Sequence, residues 1–447
     1  MFKSKHLLIN PFKIIYMKTN KFSKDWWYSF VDRNLSFSEC QVYKEVISED
    51  ILISLDHGVR EMLRSRINEF NIRDGFRLYI DERELSDSEI RKLIKDNKID
   101  DSESIEAYCN RVFGNKFGII TNYCEKHSEI LANTVLKTIS PLFEIVGIPP
   151  WGIELTTFIG NYGWTPIGIH KDNRGENVLH YHLGPGKKIM YVWDEDLYNK
   201  VTGGVSNNKD VEPLLKYAKK HEFGVGDLYY MPWNKYHIGY SANFSIGVTL
   251  WFNNPTRYDF STLMVETIKN LCLKNDQSII ESQLDYSTNE NTFNDFINTL
   301  NIKQEVLEKP LIDFFKSIYN EYKKCLMSNG GWQNIPLSLY AKIDSEKDYF
   351  PNLESKSLLP NDLFNIKFEI IESRLIIYVR GSKLTFKYFP ELVSIINIIN
   401  TSETEIDIKS IICRYETLPK EVILYFLKVL INNRGVKVKD LNLMELN

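Results

Sequence analysis

Two histidines and a carboxylate define the chemistry to look for: His170-Lys171-Asp172, then His237, 65 positions after the aspartate. Side chains on an extended strand repeat every two residues, so an HxD pair puts imidazole and carboxylate on one face. A histidine from a neighbouring strand then completes a facial triad. Two nitrogens and one oxygen leave three adjacent positions open on an octahedral ion, enough for a chelating co-substrate and dioxygen together. That is the requirement of non-haem iron(II) oxygen activation. An isolated HxD pair has a plainer reading as core or surface residues. What argues against it is context. His170 follows GNYGWTPIGIH and precedes NRGEN; His237 follows GDLYYMPWNKY and precedes SANFSIGVTLWF.

The elements that must position these residues begin near Gly147. From Ile148 to Asn253 the chain reads as short strands with turn punctuation: IELTTFIG, VLHYHLG, KKIMYVW, GDLYYMPW and FSIGVTLWF. Dense β-branched and aromatic residues at this spacing predict a sandwich or barrel. Residues 21–146 look mixed and mainly helical. Ser86 to Glu89 marks a capped helix start, and SEILANTVLKTISPLF has helical spacing that Pro141 ends or bends. Residues 1–20 read as a disordered extension. A helical region follows at 257–332, where Leu311, Phe314, Phe315, Ile318, Tyr322 and Leu326 form one stripe, a homodimer face or plain core. The stretch 333–362 reads as a linker. In 363–447 a hairpin with its turn at Arg380-Gly381-Ser382 precedes three helical stretches near 389–399, 407–415 and 419–432. Strands with three short helices make a winged-helix-like pattern.

Taken together, the motifs around His170 and His237 resemble the JmjC and cupin-like 2-oxoglutarate oxygenases. The domain order is most similar to ribosomal oxygenases, which join a JmjC barrel to a helical dimerisation region and a C-terminal winged helix. The resemblance implies an α+β chain built on a double-stranded β-helix (a cupin/JmjC jelly roll) at 147–256, with helical flanks and a winged-helix-like end. It implies Fe(II) as the metal, held by His170, Asp172 and His237, and 2-oxoglutarate and dioxygen as co-substrates. In that family a basic residue on the next strand pairs with the distal carboxylate of 2-oxoglutarate. The matching segment here, HLGPGKKIMYVW, makes Lys187 the best match and Lys188 the next; only one of two consecutive strand residues can face inward. Asn177 and Thr157 match polar co-substrate positions, and Ser245 and Thr249 alternate on the strand after His237. Trp164, Trp193, Trp233 and Trp251 are expected in the barrel wall.

A rival ligand set is His180-Tyr181-His182 with His237, the HxH arrangement of cupins that are not 2-oxoglutarate enzymes. Such proteins usually carry a glutamate shortly after; here Leu183-Gly184-Pro185-Gly186 follows.

Composition narrows the partners. The 447 residues are 43% hydrophobic and 26% charged with a net charge of −4, so there is no electrostatic reason to expect nucleic acid or an anionic membrane. No apolar run is long enough to span a bilayer. Six scattered cysteines without a CxxC pair argue against a structural zinc and favour reduced thiols in a cytoplasm. The segment 361–447 carries 12 Lys and Arg against 11 Asp and Glu, too balanced for DNA and better suited to gripping a polypeptide. The same unit also resembles small domains that bind leader peptides. The leading expectation is a hydroxylase of a peptidyl or protein side chain. The alternatives are a small-molecule 2-oxoglutarate hydroxylase, a non-oxidative metal cupin, and a degenerate binding module.

Overall fold

The computed structural model describes residues 20–272, 310–339 and 350–439, apart from positions 35, 74, 101, 360 and 362. The expected extension at 1–20 lies outside the described residues but for Asn20, as do parts of the expected helical region and linker.

The first part of the chain contains α1 (Lys24–Arg33), β1 (Gln41–Tyr43), α2 (Glu49–Ile67), β2 (Phe76–Ile80), β3 (Arg83–Glu84), α3 (Asp87–Lys95), α4 (Ile105–Phe113), β4 (Phe117–Thr121), α5 (Cys124–His127) and α6 (Glu129–Val146). Helix α3 starts with a full capping box: the Ser86 hydroxyl and the Glu89 carboxylate each satisfy the other residue's backbone N–H. Helix α6 runs through Pro141 rather than ending there. Its buried face of Leu131, Val135, Ile139 and Leu142 packs on the core and outweighs one missing hydrogen bond.

Next come β5 (Ile153–Gly160), β6 (Gly163–Trp164), β7 (Glu176–Pro185), β8 (Lys188–Asp194), α7 (Glu195–Thr202), β9 (Lys219–Phe223), β10 (Leu228–Met231), β11 (Lys235–Ser241) and β12 (Ser245–Asn253). They form two antiparallel sheets. One has the order β1-β10-β7-β12-β5-β4-β2-β3, the other β6-β11-β8-β9. Four strands that precede residue 147 thus belong to the larger sheet, so the expected helical flank also lengthens that sheet. Helices α1, α2 and α6 cover its outer face, where Trp27, Val59, Met62 and Val135 share a core with Leu155, Ile159, Val248 and Leu250.

This packing decides strand parity. In β5, Leu155 and Ile159 face the helices, while Glu154, Thr156 and Phe158 face the opposite way into a cavity. In β12, Ile246, Val248, Leu250 and Phe252 face the helices, while Thr249, Trp251 and Asn253 line the cavity. In β7, Leu179 and Tyr181 face out, while Val178 and His180 face in.

Beyond the sheets lie α8 (Arg257–Cys272) and α9 (Leu311–Ser328); along the expected stripe Ile318 is buried, whereas Leu311 and Phe315 are exposed. The last unit has β13 (Ser357–Leu359), β14 (Lys367–Ile371), β15 (Arg374–Val379), β16 (Ser382–Lys387), α10 (Pro390–Thr401), β17 (Ile406–Asp407), α11 (Ile408–Arg414), α12 (Lys420–Asn432) and β18 (Lys437–Val438). Strands β14, β15 and β16 form an antiparallel meander, one strand more than the expected hairpin.

A charge cluster ties this unit to α6. Glu129 lies 3.2 Å from Lys437 Nζ, 3.7 Å from Arg380 Nη1 and 3.8 Å from Arg434 Nη1. The Arg380 side chain is only 1% exposed and its guanidinium stacks on Phe364. Removing the carboxylate leaves a buried cation short of its counter-charge. Glu129→Ala is therefore expected to destabilise the protein by about 2–4 kcal/mol, with hydrogen exchange quickening in β15 before β5. Equal protection loss in both strands would show that the cluster does not hold the unit in place.

Candidate metal centre

His170 sits on an extended segment before β7. It is joined to β11 by a single bridge, in which its N–H donates to the His237 carbonyl at 3.2 Å and the His237 N–H donates back at 2.8 Å. The HxD pair therefore lies on a bridged extended segment, not inside a long strand. Asp172 follows two residues later and is buried, its side chain 6% exposed. The Asp172 Oδ1 lies 3.9 Å from Nε2 of both His170 and His237, and all three ligand atoms lie within 4.8 Å of one another.

Each imidazole is oriented from behind. The His170 Nδ1 is 2.9 Å from the Gly168 carbonyl and the His237 Nδ1 is 3.1 Å from the Lys235 carbonyl. A carbonyl only accepts, so both Nδ1 atoms carry the proton and both Nε2 lone pairs point at the shared space. Burial is the main cause that pushes both histidines down to about 4, so they are neutral at physiological pH. Burial pushes Asp172 up to about 7, and its Oδ2 is buried with no hydrogen-bond partner. A buried carboxylate with one oxygen orphaned and the other equidistant from two oriented nitrogen donors fits a divalent cation, and the donor set suits iron(II).

The triad opens on a cavity of about 500 Å³ between the two sheets. Lys188, Thr165, Phe158, His180, Thr249, Met190, Trp251, Glu154, Arg77 and Asn122 are among its lining. Of the two candidate lysines, Lys188 and not Lys187 lines the cavity. Lys187 is exposed and pairs with Glu222 at 2.9 Å. Lys188 is buried, donates to the Tyr162 hydroxyl at 3.1 Å and lies 4.6 Å over the Phe158 ring. The reason is register: His237 pairs with Val192 and Gly239 with Met190, so the even-numbered residues of β8 share the face of the metal ligands. Bare Gly239 makes room for the lysine stem, since a Cβ there would stand 3.1 Å from Lys188 Cε. No carboxylate among the described residues pairs with Lys188 Nζ.

The softer expectations divide. Thr249 lines the cavity. Asn177, Thr157 and Ser245 do not. Asn177 accepts from the Tyr230 hydroxyl at 3.2 Å, Thr157 meets Cys124 Sγ at 3.1 Å, and Ser245 donates to Ser241 Oγ at 3.3 Å. Asn177 and Thr157 occupy the helix-facing parity of their strands. Sequence reasoning overlooked Thr156, Phe158, Arg77 and Asn122; strand alternation from Glu154 would have found the first two. Trp251, expected in the wall, faces the cavity.

The rival histidines are committed elsewhere. The Gly186 carbonyl lies 2.7 Å from His182 Nε2, which must donate; His182 Nδ1 then accepts from His180 Nε2 at 3.4 Å, and His180 Nδ1 accepts from the Thr249 hydroxyl at 2.8 Å. Among the described residues only His170, Asp172 and His237 gather as a potential metal group. Gly247 gives His180 its place: a Cβ there would lie 2.2 Å from His180 Cε1. Gly247→Ala is expected to cost about 1–3 kcal/mol, read as a lower melting temperature, while metal content stays intact. An unchanged melting curve would mean that the ring has somewhere else to go.

No family profile and no curated protein matches the chain. Among solved structures, the ribosomal oxygenase YcfD from Escherichia coli in complex with cobalt and 2-oxoglutarate is 14% identical, with a TM-score of 0.45 over 92% of this chain and 98% of that one. A second structure of the same E. coli protein aligns with a TM-score of 0.46 at 14% identity over the same shares. The non-heme α-ketoglutarate-dependent carbocyclase SnoK from nogalamycin biosynthesis is 11% identical, with a TM-score of 0.33 over 59% of this chain and 96% of that one. Likenesses of this size decide neither fold nor activity; the chemistry of the site must do so.

Proposed function

We propose that this protein is an Fe(II)- and 2-oxoglutarate-dependent dioxygenase that hydroxylates a peptidyl or protein side chain, working from a double-stranded β-helix. The observation that carries this reading is the convergence of His170 Nε2, Asp172 Oδ1 and His237 Nε2 at one wall of a cavity that also holds the buried cation of Lys188.

When bound, iron(II) activates dioxygen, coupled to decarboxylation of 2-oxoglutarate to succinate. The protein's part is geometry and charge. The Gly168 and Lys235 carbonyls hold the two imidazoles with Nε2 forward, so the ligand set is pre-organised. Lys188 offsets the desolvation of the distal carboxylate, the role a buried dicarboxylate demands of a cation. Trp151 and Trp251 stand with Glu154 on the cavity lining, where the target side chain would rest.

The polypeptide substrate is favoured by the near-balanced, non-basic C-terminal unit, read as winged-helix-like and held against α6 by Glu129. The exposed end of α9 is the place for a homodimer contact. No helix among the described residues is long and apolar enough to cross a membrane.

The deciding assay reconstitutes the protein with iron and supplies 2-oxoglutarate with candidate peptides. Succinate release together with a peptide heavier by one oxygen atom is the expected result, both lost in a His170→Ala/Asp172→Ala variant. Turnover of free amino acids with no peptide acted on would replace the polypeptide by a small-molecule substrate. Succinate formation that survives the double variant would dismiss the triad.

A further inference from the structure

A second pocket lies beside the cavity of the metal centre, and Tyr123 lines both. Its volume is about 340 Å³, and Arg66, Arg73, Arg91 and Lys126 line it with no carboxylate among the lining residues. The chain as a whole carries a net charge of −4, so this is a local concentration of one sign and not a general basicity.

The four cations are not equivalent. Arg66 is structural: its guanidinium donates to the Asn71 and Arg73 carbonyls, each at 2.9 Å, and to the Asn122 carbonyl. It contributes a fixed positive charge behind the pocket. Arg73, Arg91 and Lys126 form no ion pair with any carboxylate among the described residues, although they come from three separate places: the loop before β2, helix α3, and α5. Chain segments distant in sequence have thus brought unpaired cations around one space, against their mutual repulsion. The neighbouring His127 registers the result. Burial first, then Arg66 and Lys126, push it down to about 3, so it stays neutral and adds a polar group without more charge.

We infer that this pocket binds the phosphate group of a small ligand, either free phosphate or a phosphate monoester. Charge balance favours phosphate over a lone carboxylate, since a dianion with three acceptor oxygens matches three unpaired cations, two of them guanidinium forks. Size favours a small ligand over a polymer, the volume being near the lower end for small-molecule sites. Phe70 on the pocket lining offers an apolar surface to the remainder of an ester. The site is separate from the metal centre, and it stands whether or not the oxygenase reading does.

The test is calorimetric titration of the full-length protein with inorganic phosphate and, separately, with adenosine monophosphate. Saturable binding is expected, weakened about tenfold or more in an Arg73→Gln/Arg91→Gln variant with an unchanged melting temperature. Should the double variant fold poorly, the exposed Arg73→Gln alone is expected to weaken binding by a smaller factor. Tighter binding of the nucleotide identifies an ester as the ligand; equal binding identifies the free anion. The inference is overturned if neither probe saturates, or if the variants bind as the parent does. It is also overturned if a triglutamate peptide or a short RNA binds more tightly than both phosphates and loses that affinity in the same variants.

Discussion

Asp172→Asn is expected to stabilise the metal-free protein and to weaken the metal-loaded one. Without a cation, Asp172 is a buried carboxyl whose Oδ2 has no partner, held up at about 7 chiefly by burial. A group with a folded-state pKa near 7 and an unfolded value near 4 favours the native state only while protonated. That contribution is complete below pH 4 and is lost progressively as pH rises to 7. At pH 8 the parent apoprotein bears the full cost, and the amide does not. The variant should then be more stable by about 4 kcal/mol. At pH 4 the two should melt together. Added iron(II) reverses the ranking, because the parent gains a charged oxygen ligand and the variant keeps only a neutral one. Turnover in the variant should fall more than about 100-fold, since even a residue supporting a ligand commonly costs 10–100-fold. Thermal melts at pH 4 and pH 8, with and without iron, read all of this. If the melting order is the same with and without metal, Asp172 is not a ligand.

Lys188→Met separates co-substrate binding from metal binding. Truncating one member of a buried charge pair costs about 2–5 kcal/mol, so the 2-oxoglutarate concentration for half-maximal succinate release should rise roughly 30-fold to more than 1,000-fold. Iron uptake should be little changed, because Lys188 is not among the three converging ligands. Lys187→Ala is the matched control. Lys187 is exposed and pairs only with Glu222 on the surface, so its loss should leave the 2-oxoglutarate requirement where it was. The opposite outcome, a large effect at Lys187 and none at Lys188, would mean that the register of β8 against β11 is shifted by one residue. The metal-free Lys188→Met protein should also melt higher, because a buried cation without a carboxylate partner has been replaced by an apolar chain of similar length.

Much of the organisation was legible before any coordinates. The strand-rich texture from Ile148 to Asn253 corresponds to the strands of the two sheets, because turn residues punctuate runs of β-branched and aromatic side chains. The α3 cap and the helices near 390–401, 408–414 and 420–432 are local signals, and local signals survive in the fold. Pro141 misled, because the penalty of a proline is local while the packing that overrides it is not. Strands β1 to β4 were hidden for a related reason: two to five residues long and interleaved with helices, they carry little pattern until the sheet recruits them.

What the sequence determined by itself is the inventory of the site, two imidazoles and a carboxylate at HxD-plus-distant-His spacing, together with the alternation that allows only one of Lys187 and Lys188 to face inward. What only the tertiary structure decided is which one. In β5 the polar residues Glu154 and Thr156 mark the cavity face, but β8 carries apolar residues on both parities, Ile189, Tyr191 and Trp193 against Met190 and Val192, so its pattern does not say which lysine faces inward. Parity was settled by long-range register: His237 opposite Val192 turns Lys188 into the cavity and Lys187 to solvent, while Leu155 and Leu179 under the helices turn Thr157 and Asn177 away. Hydrogen bonds between distant strands carry that information, and a one-residue shift in any of them would exchange the two faces.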